Sequence, residues 1–96
     1  MNAVWKFPIS IFNQDFHIRM PVGATILSVQ VQRGVPCLWA LVQNVDTSHY
    51  LTNNRFFIAL GTGTSYRHNP YGELKFIGTF QLFNGDDVYH LFETGA

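Results

Sequence analysis

The feature that most constrains this chain is its period. Apolar residues recur at every second position in one segment after another, and no stretch carries a helical spacing of useful length. Successive strand side chains point to opposite faces, so this pattern predicts β-structure. Residues 15–20 place Phe16, Ile18 and Met20 on one face and Asp15, His17 and Arg19 on the other. Thr25–Gln32 sets Leu27, Val29 and Val31 against Ser28, Gln30 and Gln32. Residues 55–60 alternate Phe56, Ile58 and Leu60 with Phe57 and Ala59. Residues 73–82 oppose Leu74, Phe76, Gly78 and Phe80 to Lys75, Ile77, Thr79 and Gln81. Residues 87–93 put Val88, His90 and Phe92 on a core face, against Tyr89 and Leu91. The run 37–42, near-continuously apolar, predicts a central strand covered on both faces or a strand in a sandwich core, with Trp39 as a core anchor. Residues 4–9 read as an edge strand or a break, because Pro8 has no N–H to donate.

Turn signals separate these segments. Residues 21–24 and 33–36 are Pro/Gly corners, the second making a hairpin with its flanking strands. Asn84-Gly85 is a strong hairpin signal, since both residues tolerate positive φ. Residues 44–54 and 61–72 read as long polar loops. Six or seven short strands at this spacing predict an all-β fold, a small antiparallel sandwich or barrel with little or no helix. At 96 residues there is room for one core, so residues 1–96 form a single domain, with 94–96 a free tail.

Composition narrows function mainly by exclusion. Hydrophobic residues make up 47% and charged residues only 12%, which excludes a disordered chain. Six Lys+Arg against six Asp+Glu leave no basic footprint, so nucleic acid is not an expected partner. The same neutrality, with 16% aromatics, predicts surface that a partner or a second copy covers. A homodimer is expected, with the Trp5/Phe7 strand or the 87–93 strand at the seam. Cys37 is the lone cysteine and His17, His49, His68 and His90 are unpaired in spacing, so no disulfide or metal site is expected. No secretory signal or membrane-length apolar run is seen, which points to a reducing, intracellular location.

The residues from Met20 to Val42, together with Lys6 to Ile9, Arg55 to Gly63, Phe76 to Gln81 and Val88 to Glu93, carry a resemblance over nearly the whole chain. The pattern M-P-x-G-A-x-I-L-S-V-Q, G-x-P-x-L-W-A-L-V, R-x-F-x-I-x-G-T-G, F-I-G-T-x-Q and V-x-H-x-F-E resembles a family of small uncharacterised proteins of tailed bacteriophages and prophages. The resemblance implies a phage origin, a compact β fold and expression in the host cytoplasm. It implies no activity, cofactor or catalytic residue. Thr64 follows Gly63 here, where many members have a histidine, and the nearest histidine is His68.

Two groups of residues invite a functional reading. Gly61, Thr62, Gly63, Thr64, Tyr66, Arg67 and His68 combine small residues, hydroxyls and cationic side chains, a composition that suits a phosphate-bearing ligand. The bland reading is a strand ending in a hydroxyl-rich loop, because no helix N-terminus follows and no Walker lysine is present. Trp5, Phe7, Phe12 and Phe16 form a contact patch if exposed, and part of the core if not. His90 reads as a hydrogen-bonded core residue, and the Asp15, His17 and Arg19 trio as a solvated face. No catalytic constellation is seen, so no enzyme is expected and no cofactor. Three functions follow as expectations. The first is a phage accessory protein that binds a host or phage protein, in counter-defence or host takeover. The second is a nucleotide-type ligand binder using the 61–68 loop. The third is a structural virion component.

Overall fold

The protein is described here by a computed structural model covering residues 1–11, 14–43, 50–67 and 71–95. Among these residues seven strands follow in chain order: β1 Ala3–Pro8, β2 Asp15–Pro21, β3 Thr25–Gln32, β4 Val35–Val42, β5 Thr52–Gly61, β6 Leu74–Leu82 and β7 Asp87–Thr94. They pair antiparallel into a three-stranded sheet, β1-β4-β3, and a four-stranded sheet, β2-β5-β7-β6. The two sheets stack as a β-sandwich, and the shortest dimension of the molecule is 18 Å. The all-β sandwich expected from the period-two pattern is the fold.

Position in the sheet explains composition. β4 is central in its sheet, which accounts for its unbroken apolar run. β1 lies at an edge and pairs with β4, and Ile9 N–H donates to the Pro36 carbonyl at 2.9 Å. That bond fixes the alternation, so the N–H groups of residues 3, 5 and 7 face β4 and those of residues 4, 6 and 8 face outward. Pro8 therefore sits where no ladder bond is lost. The β3–β4 hairpin closes over Arg33 (φ 53°) and Gly34 (φ 80°), the two left-handed residues a type I′ turn demands. The β6–β7 turn places Asn84 and Gly85 at φ 57° and 89°, as the Asn-Gly signal predicts, and Phe83 before them at φ 54°, which that signal does not predict.

The core lies between the sheets. Met20, Val29, Leu38, Ala40, Val42, Phe57, Ala59, Phe80 and Leu91 fill it. The sheets come closest where β3 passes over β6. A Cβ on Gly78 would stand 2.9 Å from Val29 Cγ1, so only glycine permits this approach. At one end Arg55 grips Glu93 with two hydrogen bonds, Nε to Oε2 at 2.6 Å and Nη2 to Oε1 at 2.8 Å. Its third nitrogen, Nη1, donates to the Ala24 carbonyl, tying β5, β7 and the β2–β3 turn together.

Several expectations are corrected. A β-bulge at Leu27 breaks the register of β3 between Ile26 and Ser28 and leaves Leu27 49% exposed, while Ile26 packs on the core. A second bulge at Ile77 does the same in β6, so Phe76 leaves the face it was grouped on with Gly78 and Phe80 and turns outward. One extra residue shifts every later side chain to the other face, which a strict period of two cannot anticipate. In β7 the faces are reversed. Leu91 and Tyr89 point inward, and His90 and Phe92 point out, because Leu91 pairs with the buried Ala59. Trp39 is half-buried and sits between Lys6 and Ser28 on the outer face of its sheet, not in the core. β7 is flanked by β5 and β6, so its backbone cannot form a dimer seam. Residues 52–54 belong to β5, not to a loop. Thr94 ends β7, and Gly95 N–H donates to the Glu73 carbonyl at 3.0 Å, so order continues past the start of the expected tail.

Candidate functional site

The outer face of the four-stranded sheet carries a second apolar layer. Antiparallel register puts Asp15, Ile58, Phe92 and Phe76 in one row across the four strands. The next row holds Leu60, His90 and Thr79. On the other side Phe56 lies opposite His17, with ring centres 5.9 Å apart, and Leu74 opposite Thr94. Ile58 and Leu60 are buried although they lie outside the inter-sheet core, so side chains of this same face cover them. Phe76 and Phe92 pack with centroids 5.5 Å apart. Above that layer Phe76 remains 57% exposed and Phe56 44% exposed. Among the described residues the middle of the face carries no charge, while Asp15, His17 and Arg19 rim it along β2.

His90 connects this face to the loop that the sequence singled out. Its Nε2 lies 2.8 Å from Thr62 Oγ1 and its Nδ1 lies 3.0 Å from Thr79 Oγ1. A ring held at both nitrogens stitches β6, β7 and the end of β5. It is a hydrogen-bonded histidine, as expected, but on the outer face.

Residues 61–64 form a tight turn. Thr64 N–H donates to the Gly61 carbonyl at 3.0 Å, and Gly63 takes φ 82°, which glycine alone adopts at no cost. Thr62 N–H donates to the Val88 carbonyl at 3.0 Å. Two amides of the Gly-Thr-Gly-Thr segment are thus committed within the fold. Gly61, Thr62 and Thr64 line an open cleft of about 550 Å³ together with Asp86, Asp87 and Tyr89. The two carboxylates give this cleft an acidic wall, which repels phosphate. Tyr66 and Arg67 are exposed and do not line the cleft, and His68 lies outside the described residues.

The aromatic candidates at the N-terminus divide differently. Trp5, Phe7 and Phe16 are half-buried and pack against the core, and Phe12 lies outside the described residues. Phe16 stacks on Phe57 at 5.6 Å, and Trp5 meets Tyr50 edge-on at 6.0 Å. Cys37 is buried at the foot of a bridge in which Lys6 Nζ donates to Gln32 Oε1 at 2.8 Å across β4. Among the described residues no group of three metal-ligating side chains occurs. No helix among them is long and apolar enough to cross a membrane.

Sequence reasoning missed Phe56, Phe76, Phe92 and Thr79 as members of one surface. The usable signal was Gly78. An isolated glycine inside a strand marks a bulge or a close backbone approach, and here it marks both. The pattern of a family described as a domain of unknown function (DUF7352) matches residues 1–96. No curated protein and no solved structure matches the chain.

Proposed function

Because the chain belongs to that uncharacterised family, we propose a function from its surface alone: it is a non-enzymatic interaction domain that binds a protein through the outer face of the β2-β5-β7-β6 sheet. The observation that carries this reading is the exposure of Phe56 and Phe76 over an already filled layer of Ile58, Leu60 and Phe92. Aromatic residues on an uncharged surface, rimmed by polar side chains, are the composition of an interface core. An aromatic sheet face also suits stacking of single-stranded bases, but that mode needs a cationic groove, and six basic residues are balanced by six acidic ones. An apolar protein surface is the better complement.

The resemblance to tailed-phage proteins supports an infected bacterium as the setting of this activity. The partner is then a host or phage protein in the host cytoplasm, and the task counter-defence or host takeover. The test is capture from infected cells with tagged wild type, with Phe56→Lys/Phe76→Lys, and with Thr62→Ala/Arg67→Ala. A partner retained by the wild type and the loop variant, and lost by the face variant at unchanged melting temperature, supports the proposal. Loss with the loop variant alone supports the ligand reading instead. Incorporation into purified particles supports a virion component.

A further inference from the structure

Among the described residues the sandwich has four edge strands, β1, β3, β2 and β6, and they are not equivalent. Along β2, Val22 N–H donates to the Leu51 carbonyl at 2.9 Å, and Ala59 N–H donates to the Gln14 carbonyl at 2.8 Å. These bonds fix the alternation. Residues 16, 18 and 20 spend their backbone groups on β5, and residues 15, 17 and 19 direct theirs outward. The outward set is Asp15, His17 and Arg19, all exposed and all on the outer face of the sheet.

We propose that β2 pairs antiparallel with β2 of a second copy of this chain about a two-fold axis at His17. In that register Asp15 lies opposite Arg19 of the second copy, Arg19 opposite its Asp15, and His17 opposite its own equivalent. The residues that meet are those whose backbone groups point outward, so the ladder forms with both sets of donors and acceptors matched. Two cross-strand ion pairs of opposite sign then flank the axis. On the inner side Phe16 lies beside Ile18 of the second copy, which covers two half-buried residues at the edge of the core. Pro21 falls at the end of the ladder, where its missing N–H costs least. The two four-stranded sheets become one of eight.

The other edges lack this complementarity. The same operation at β1 sets Lys6 against Lys6 and Val4 against Pro8, which puts like charges together and loses a bond. β3 and β6 each carry a bulge, at Leu27 and Ile77, and bulges twist an edge away from pairing.

Charge reversal tests the register. Sedimentation of the wild type at tens of micromolar should give twice the 11.0 kDa of one chain. Asp15→Arg and Arg19→Asp should each shift it toward the monomer, and the two changes combined should restore the dimer. Circular dichroism checks that each variant is folded. As a second measurement, His17→Cys brings two thiols together with Cα atoms about 5.5 Å apart. A short bis-maleimide, to which each thiol adds across a C=C bond, should join them, while Val4→Cys on β1 should not be joined. Cys37 is buried and gives little background. A wild type that stays monomeric to about 100 μM, above the Kd of a standard-size interface, overturns the proposal. So does a dimer indifferent to the single reversals, or a double reversal that fails to rescue it. The inference stands on the edge of the sheet and not on the aromatic face, so loss of the dimer and loss of partner capture are read separately.

Discussion

Leu38 and Trp39 are neighbours in β4 and point to opposite faces, so they separate size from burial. Leu38 is wholly buried between the sheets, and Trp39 is half-covered on the outer face opposite Lys6 and Ser28. Truncating a buried leucine to alanine removes its transfer energy and leaves a cavity, so Leu38→Ala should cost about 2–5 kcal/mol. Trp39→Ala loses more atoms but opens to solvent rather than to a void, and should cost about 1–2 kcal/mol. Urea melts of the two variants check the order. A larger loss at Trp39 than at Leu38 would show that the outer face of the three-stranded sheet stabilises the fold as much as the core does. Arg55 and Glu93 illustrate another residue-scale point. They stand 38 positions apart on β5 and β7, and their doubly bonded contact was invisible to local pattern because neither alternation nor spacing relates them.

At the scale of elements, the close crossing of β3 over β6 rests on one missing methyl. Gly78→Ala would press a Cβ against Val29 Cγ1, on a buried, stiff, β-branched side chain. Overpacking of this kind should cost about 1–3 kcal/mol. Val29→Ala opens the space, so the double variant should be less destabilised than the sum of the singles, with a coupling of about 0.5–2 kcal/mol in a double-mutant cycle. Strict additivity would mean that the sheets separate freely at this point. The same crossing shows what was legible. Every strand and both hairpin turns could be read from alternation and from Gly, Pro and Asn positions, because backbone preference and turn chemistry are local. The bulges were not legible, although Gly78 hinted at one. They arise from fitting two twisted sheets together, and they decide that Leu27 and Phe76 face solvent. In β7 both faces are apolar enough to be core, so alternation alone could not say that Leu91 and not His90 faces inward. The proposed site was therefore not legible from local pattern. The loop at Gly61 was identified by composition, while the aromatic face needed the register of four strands.

The whole molecule carries no net charge, with six residues of each sign and an isoelectric point near 6.9. It also leaves large apolar side chains in water at several places, among them Val4, Leu27, Leu51, Phe56, Phe76 and Phe83. Phe56 and Phe76 belong to the sheet face, whereas Phe83 stands 69% exposed on the β6–β7 turn, away from that face and from the β2 edge. A neutral surface offers no long-range repulsion to oppose contact between such groups. Solubility against pH should therefore pass through a minimum close to the isoelectric point and rise toward pH 9. Phe83 separates this colloidal effect from specific association. It sits at φ 54°, a conformation that a bulky aromatic adopts at a cost and that aspartate tolerates better. Phe83→Asp adds one charge, removes an exposed ring and relieves the backbone together. It should raise solubility at neutral pH with the melting temperature unchanged or higher, and should leave the sedimentation mass as it was. Turbidity and thermal melts across pH 6–9 check the first two outcomes. A variant no more soluble than the wild type would move the source of self-attraction from net charge and the turn to the aromatic sheet face, where Phe76→Lys is the next substitution to measure.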